Sequence, residues 1–195
     1  MSGDVQHRMN DDAARRARFE HLARDVWAPL HAYVARRAPW SEVDDIVSET
    51  LTTLWRRLDD IPDDATLPWS FAVARRTLAN QRRGDRRRAG LFELVVHRTR
   101  PADLATAAVP ELGDGDPQLA WALAQLPNGD VELARLWAWE QLEPREIAVV
   151  LGLSANTASA RLSRLRRRLH ELLDARHDPV AAGHEPGADQ AESNR

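Results

Sequence analysis

Apolar side chains recur every three or four positions in the N-terminal half of the chain, which is the spacing of amphipathic helices. This pattern predicts a first helix over residues 15–37. A second helix follows from Ser41, which is placed to cap it, and ends near residues 59–62. Thr66, with Pro68 two positions later, predicts the start of a third helix, because proline is well tolerated in the first helical turn.

The periodic spacing lapses in the middle of the chain and then returns. Residues 89–118 are rich in Ala, Gly, Pro and acidic side chains, a composition typical of a linker. The pattern beyond them predicts four more helices, over residues 119–126, 131–141, 144–151 and 155–175. No stretch shows the convincing alternation of a strand. The sequence therefore predicts an all-α protein with two helical domains, residues 10–88 and 119–175, a flexible linker and a disordered tail over 176–195.

Composition removes several classes of function. The 195 residues include no cysteine, which excludes disulfides, thiolate metal sites and cysteine nucleophiles. All 27 basic residues are arginine, so no lysine is available for a phosphate-binding loop, a Schiff base or a general base. Residues 1–30 lack the apolar stretch of a secretory signal, and no run approaches the roughly 20 apolar residues of a membrane span. We expect a soluble, cytoplasmic protein with no cofactor and no membrane partner.

Charge is strongly segregated along the chain. Residues 82–100 hold seven arginines against two acids, and residues 155–176 hold six arginines against two acids. Residues 41–66 hold eight acids against two arginines, and residues 101–118 hold four acids and no base. Clustered arginine favours phosphate partners, because the guanidinium fork matches phosphate oxygens. A solvated helix face is the other reading of any single arginine run.

Residues 144–173 form the most informative segment, with the pattern of a helix, a tight turn and a second helix. Gly152 permits a turn with positive φ, Ser154 caps the second helix, and Ala158 and Leu162 face the core. The outward face then carries side chains suited to reading bases and phosphates in the major groove: Asn156, Thr157, Ser159, Ala160, Arg161, Ser163, Arg164 and Arg167. This pattern predicts a DNA-binding helix-turn-helix.

The chain resembles the bacterial extracytoplasmic-function sigma factors, which give RNA polymerase its promoter specificity. In the C-terminal half, ALAQLP followed by WEQLEPREIAVVLGLSANTASARLSRLRRRL is similar to the fourth conserved region of that family in order and spacing. In the N-terminal half, DDIVSETLTTLWRRLDDI resembles the core-binding helix of the second conserved region. PWSFAVARRTLANQRRGDRRR resembles the promoter-melting helix of the same region. Two motifs in the family's order are more specific than either one alone.

For the N-terminal half, the resemblance implies docking on the coiled coil of the largest subunit of core RNA polymerase. The residues it assigns to this contact are Asp44, Asp45, Val47 and Glu49. The resemblance also implies that the third helix faces the minus-ten element of promoter DNA through Arg75, Arg76, Asn80, Arg82 and Arg83. The loop over residues 59–67 would receive an unstacked base.

For the C-terminal half, the resemblance implies recognition of the minus-thirty-five element. The residues it assigns are Asn156, Thr157, Ser159, Ala160, Arg161, Arg164 and Arg167. The linker over residues 89–118 spans on the order of 100 Å when extended, enough to bridge promoter elements about 70 Å apart. The family also implies an anti-sigma factor as a partner. The protein would not itself be an enzyme, since the polymerase supplies the chemistry.

Three other readings remain open. A helix-turn-helix repressor or activator would bind specific duplex DNA without polymerase. An enzyme would need a metal site, for example on Asp44, Asp45 and Glu49 with a histidine, but the seven histidines lack ligand spacing. An RNA-binding adaptor is disfavoured, because the arginines lie on patterned helices rather than in an arginine-rich arm.

Overall fold

A computed structural model describes the backbone of residues 2–95 and 116–177 and the side chains of residues 9–87 and 116–175. Its α-helices are α1 Ser2–Ala35, α2 Val43–Arg56, α3 Thr66–Val95, α4 Pro117–Ala124, α5 Asn128–Ala138, α6 Pro144–Leu151 and α7 Ala155–His177. No strand occurs in these ranges. The all-α prediction is confirmed. None of these helices combines the length and apolar character that a membrane span requires.

The predicted start of the second helix is wrong in detail. A short 3₁₀ turn, Trp40–Glu42, precedes α2, and no side chain caps either element. The turn satisfies its own backbone, because the Glu42 N–H donates to the Pro39 carbonyl at 2.9 Å. Ser41 lies inside this turn and is exposed, so it does not serve as the cap.

The third helix begins at Thr66 as predicted, and it continues further than expected. The Thr66 hydroxyl donates to the Asp63 carbonyl at 3.2 Å, which ties the helix start to the preceding turn. The helix runs through the arginine-rich stretch to Val95, seven residues beyond the predicted domain boundary at residue 88. Residues 96–115 of the predicted linker and residues 178–195 of the predicted tail lie outside the described part of the chain.

Helices α1, α2 and α3 pack around a shared apolar interior. Tyr33 stacks on Phe71 with ring centroids 4.6 Å apart, and Leu30 and Ile46 are fully buried in the same cluster. A smaller cluster around Val26 joins the outer part of α1 to α2 and to the loop that follows it. Burying each large side chain contributes about 1.5–3 kcal/mol relative to leaving it in water.

The C-terminal helices form the predicted helix-turn-helix. Gly152 ends α6 with φ of 67°, the left-handed conformation that the turn requires. The Ser154 hydroxyl accepts from the Thr157 N–H at 3.1 Å and caps α7. At the start of the unit, the Asp116 carboxylate accepts from the Gln118 N–H at 2.8 Å and caps α4. Helix α7 packs on α4, α5 and α6.

The two halves share one hydrophobic cluster, in which α3 packs against α6. A buried ionic group, which we call the Arg37 cluster, lies at the junction and consists of Tyr33, Arg36, Arg37, Glu132 and Glu140. Arg37 Nη1 donates to Glu140 Oε1 at 2.8 Å, and Arg37 Nε donates to Glu132 Oε1 at 3.2 Å. Arg36 also donates to Glu140. Both Arg37 and Glu140 have only 3% of their side-chain surface exposed.

The Arg37 cluster surrounds two carboxylates with arginines, since Arg135 Nη1 also lies 4.0 Å from Glu132 Oε2. Burial alone lowers the pKa of the Arg37 guanidinium, but its electrostatic interactions with the Tyr33 hydroxyl and with the carboxylates of Glu132 and Glu140 outweigh that effect and raise the pKa above its ordinary value. Burial, with Glu132 adding to it, raises the pKa of the Tyr33 hydroxyl. That hydroxyl therefore stays protonated and donates to Glu132 Oε1 at 3.2 Å. The interface thus holds a permanent cation between two carboxylates.

Candidate functional site

The α2 helix separates its acidic side chains from its apolar ones. Asp44, Asp45 and Glu49 are exposed, whereas Ile46 and Val47 are buried. Val47 has no exposed surface and packs in the main core cluster. The structure therefore does not present the Val47 side chain to a partner, and its assignment to the polymerase contact stays a prediction.

The exposed acids of α2 differ in their surroundings. The Oδ1 atom of Asp44 lies 3.6 Å from Nε2 of His31 on α1. Asp45 and Glu49 form no ion pair with any side chain in residues 9–87 and 116–175. Acids near a helix N-terminus also gain from the helix dipole, which suffices to keep them there without a partner. The exposed face of α2 is therefore negatively charged and accessible to a partner.

The described residues do not assemble a metal site around these acids. No group of three or more His, Asp or Glu side chains lies where it could hold an ion within those ranges. His31 approaches Asp44 alone. The structure supplies no support for the metal-enzyme reading.

The α3 helix carries the predicted cationic face. Phe71, Ala74 and Leu78 are buried. The residues assigned to the minus-ten element are all exposed: Arg75, Arg76, Asn80, Arg82 and Arg83. Two of these arginines already have partners within the protein. Arg82 Nη2 donates to the Arg37 carbonyl at 2.8 Å, and Arg83 donates to the Asn80 side chain one turn away.

Two arginines of α1 hold the loop over residues 59–67. Arg18 donates to the Leu58 carbonyl at 3.0 Å and to the Ile61 carbonyl at 2.9 Å. Arg15 donates to the Trp55 carbonyl at 3.0 Å and also to Asp59. These guanidinium groups thereby donate to carbonyls that lack a helical hydrogen-bond partner, because the regular helix ends there. Neither role is predicted by the apolar spacing of α1, and the one local signal is that both arginines lie within one turn of Phe19.

Trp69 is the aromatic side chain at the base of this loop. It is partly buried against the cluster around Val26. The Arg57 guanidinium lies 5.3 Å from its ring centroid, and Arg57 Nε donates to Asp60 at 3.0 Å. This packing makes Trp69 a part of the apolar interior of the N-terminal half.

The α7 helix presents the predicted outward face. Ala158, Leu162 and Leu165 are buried. Asn156, Thr157, Ser159, Ala160, Ser163, Arg164 and Arg167 are exposed. Arg161 is the exception, because it is half-buried and its Nη2 donates to Asp130 Oδ1 at 2.9 Å. Arg164 Nε donates only to the Ala160 carbonyl of its own helix, at 3.2 Å.

Sequence comparison identifies curated relatives, although no family model matches the chain. The chain is 33% identical over 173 residues to the RNA polymerase sigma factor CnrH of Cupriavidus metallidurans, covering 83% of this chain and 88% of CnrH. It is 30% identical over 146 residues to the RNA polymerase sigma factor NccH of Alcaligenes xylosoxydans, covering 70% of this chain and 76% of NccH.

Solved structures give a consistent result. The chain resembles CnrH in its complex with the cytosolic domain of CnrY, with a TM-score of 0.51 and 28% identity over 80% of this chain and 88% of that one. It shares its fold with the sigma factor RpoE bound to the anti-sigma factor NepR from Bartonella quintana, with a TM-score of 0.54 and 23% identity over 80% and 96% of the two chains. The extended similarity to CnrH, together with the helix-turn-helix and the open acidic face of α2, shows that the chain belongs to the extracytoplasmic-function family of RNA polymerase sigma factors.

Proposed function

We propose that this sigma factor binds core RNA polymerase through the exposed acids of α2 and directs initiation by reading promoter DNA with α3 and α7. The observation that carries the polymerase contact is the pair Asp45 and Glu49. Both carboxylates are exposed one turn apart on a helix whose other face is fully packed. A rigid, unpaired acidic face fits arginines of a partner helix, because guanidinium groups pair with carboxylates in a fixed geometry.

Promoter opening is assigned to α3 and the loop before it. The exposed arginines of α3 supply cations for the backbone of a single strand. Arg15 and Arg18 hold the loop over residues 59–67 through the Ile61 carbonyl and the carboxylates of Asp59 and Asp63, so the loop keeps a fixed shape when a flipped base arrives. Preorganisation of this kind lowers the entropic cost of capturing an unstacked base.

Recognition of the upstream element is assigned to α7. Asn156 and Arg164 are exposed on the face opposite Ala158 and Leu162, where a recognition helix meets base edges. Ser159, Ala160 and Arg167 extend the same face. Arg161 is oriented by Asp130, so it would reach DNA from a fixed position.

Simultaneous reading of both elements requires the two halves to separate. Promoter elements two helical turns apart are about 70 Å from each other along B-DNA. In the structure α3 packs directly on α6, and the Arg37 cluster joins the halves. Binding to polymerase and promoter must therefore release this interface, with the residues between the end of α3 at Val95 and the start of α4 at Pro117 connecting the two halves.

The structural relatives suggest a regulatory partner. CnrH is bound to the cytosolic domain of CnrY, and RpoE is bound to the anti-sigma factor NepR. By analogy, an anti-sigma factor would hold this protein inactive in the cytoplasm. In this proposal the polymerase performs all of the chemistry, and the sigma factor supplies only binding and DNA opening.

Charge reversal tests the polymerase contact. We expect Asp45→Arg with Glu49→Arg to abolish co-elution with core RNA polymerase, because it places cations where the partner's arginines bind. The circular dichroism spectrum and thermal midpoint should match the unsubstituted protein, since both side chains are exposed. Asp12→Arg with Asp174→Arg is the matched control, as it adds the same charge at exposed sites outside α2.

The outcomes separate the two transcription models. Co-elution that survives the α2 reversal would remove α2 from the contact, and loss of co-elution in the control as well would show that added charge, rather than its position on α2, prevents binding. Failure of the unsubstituted protein to bind core, together with tight sequence-specific binding to duplex DNA alone, would instead establish a repressor or activator.

A further inference from the structure

An exposed aromatic surface lies beside the acids of α2. It consists of Trp27 and His31 on α1 and Trp40 in the 3₁₀ turn, and we call it the Trp27–Trp40 surface. The His31 ring lies 6.4 Å from the Trp27 ring and 5.9 Å from the Trp40 ring, measured between centroids. The three rings therefore form one continuous patch across two elements.

The two tryptophans stand apart from most others in the protein. Trp27 is 50% exposed and Trp40 is 79% exposed. Four of the remaining tryptophans pack against the core clusters: Trp55, Trp69, Trp137 and Trp139. Tryptophan has the largest apolar side chain, and most of that of Trp40 is exposed to water. The protein therefore lacks the free energy that burying it would contribute. Grouped exposure of this kind marks a surface that a partner covers.

The patch is physically continuous with the proposed polymerase contact. His31 touches both indoles on one side, and its Nε2 lies 3.6 Å from Asp44 Oδ1 on the other. Asp45 adds a second exposed carboxylate on α2. Arg24 is exposed three positions before Trp27 and seven before His31, so it lies on the same side of α1 as both rings. The surface thus combines exposed indole faces with carboxylates at one edge.

This combination suits one kind of occupant. A guanidinium group stacks on an indole face while its N–H groups donate to a neighbouring carboxylate, so arginine satisfies both parts of the surface. The segments of this chain outside the described ranges fit less well. Residues 178–195 carry four acids and a single arginine, and residues 96–115 carry three acids and two arginines. A net negative segment would meet the α2 carboxylates with like charge.

We infer that the Trp27–Trp40 surface is an aromatic extension of the polymerase-binding site. The polymerase helix that binds the α2 acids also carries arginines that stack on these indole rings. This inference rests on the proposed function. The acids steer the partner and set its register, and the indoles supply the desolvated centre of the contact. Arginine and tryptophan are the side chains that dominate binding energy at protein interfaces.

The test is the affinity of sigma-free core polymerase for the full chain, measured by fluorescence anisotropy or biolayer interferometry. We expect Trp27→Ala with Trp40→Ala to weaken binding about 30-fold. Trp40→Phe should keep affinity within about threefold, because the ring face remains. Trp121→Ala is the matched control on α4, in the other half of the protein, and should leave affinity unchanged. If the double variant is less stable, the single Trp40→Ala replaces it, since Trp40 is the most exposed of the group.

The outcomes are distinguishable from those of the proposed function. Loss of binding in both the Asp45→Arg with Glu49→Arg variant and the tryptophan variant, with Trp121→Ala unaffected, supports the inference. Loss in the acidic variant alone overturns the aromatic extension and leaves the α2 contact intact. Equal weakening by Trp40→Ala and Trp40→Phe also overturns it, because stacking would then play no part. Unchanged core affinity with lost binding to a cognate anti-sigma domain overturns it in favour of that partner.

Discussion

Two groups of acidic side chains in this protein lie in opposite environments, one exposed and one buried. Asp45 and Glu49 on α2 are exposed and make no ion pair within the described side chains. Glu132 on α5 and Glu140 just after it are held by Arg37 at the junction of the two halves. The first pair faces outward from a complete core, and the second pair closes an interface. Burial and pairing, rather than charge itself, separate a binding surface from a structural contact.

The difference has an energetic basis. A buried carboxylate that loses its cation keeps the cost of desolvation, whereas an exposed carboxylate that loses a neighbour is resolvated by water. The Arg37 cluster is therefore sensitive to removal of any one member. Asp45 and Glu49 are available to a partner, because no side chain in residues 9–87 and 116–175 forms an ion pair with them.

The largest expected effect is on stability at the Arg37 cluster. Arg37→Ala should lower the free energy of unfolding by about 1–3 kcal/mol, since it removes a buried charged partner of Glu140 and leaves that carboxylate with Arg36 alone. Urea unfolding followed by circular dichroism measures this change. Arg57→Ala, which removes an exposed ion pair with Asp60, is the control and should cost less than about 1 kcal/mol. Equal losses in the two variants would contradict the distinction.

The arginines of α7 show the same contrast between an exposed side chain and a paired one. Substituting them should have an intermediate effect, which falls on promoter-dependent transcription. Arg164→Ala should weaken promoter-dependent transcription about tenfold with no change in stability, because Arg164 is exposed and its guanidinium bonds only within α7. Arg161→Ala should weaken transcription similarly and also lower stability slightly, through loss of the Asp130 contact. Neither variant should alter core binding. Full activity of both on the same promoter would contradict the groove assignment.

The smallest expected effect is a difference in salt dependence. Raising the ionic strength from about 0.1 M to about 0.5 M should weaken core binding several-fold, because the α2 acids act from the exposed surface. The thermal midpoint should move little over the same range, since the Arg37 cluster is shielded from ions by burial. Parallel titrations of anisotropy and circular dichroism measure both. Salt-independent core binding would show that the acids contribute nothing to it.

The features of the fold that are predicted correctly are those that depend on local signals in the sequence. The start of α3 at Thr66, the left-handed turn at Gly152 and the cap at Ser154 each depend on residues within one helical turn. The division of α7 into a buried and an exposed face follows from its period of 3.6 residues. These features required no knowledge of the rest of the chain.

The errors and omissions have a common physical cause. Arg37 pairs with Glu140 across 103 positions, and Arg18 reaches the Ile61 carbonyl across 43 positions. Such contacts depend on how whole helices pack, which periodicity does not specify. Val47 was assigned to the partner surface by resemblance, yet its place on α2 puts it in the core. Ser41 was replaced as a cap by a turn that Pro39 begins.

The most direct measurement is run-off transcription by sigma-free core polymerase on a library of genomic fragments from the source organism, with and without this protein. The account predicts new start sites that depend on the protein, share upstream elements of fixed spacing, and disappear with Asp45→Arg and Glu49→Arg. Absence of any new start site, with sequence-specific binding of the protein alone to duplex DNA, would contradict it.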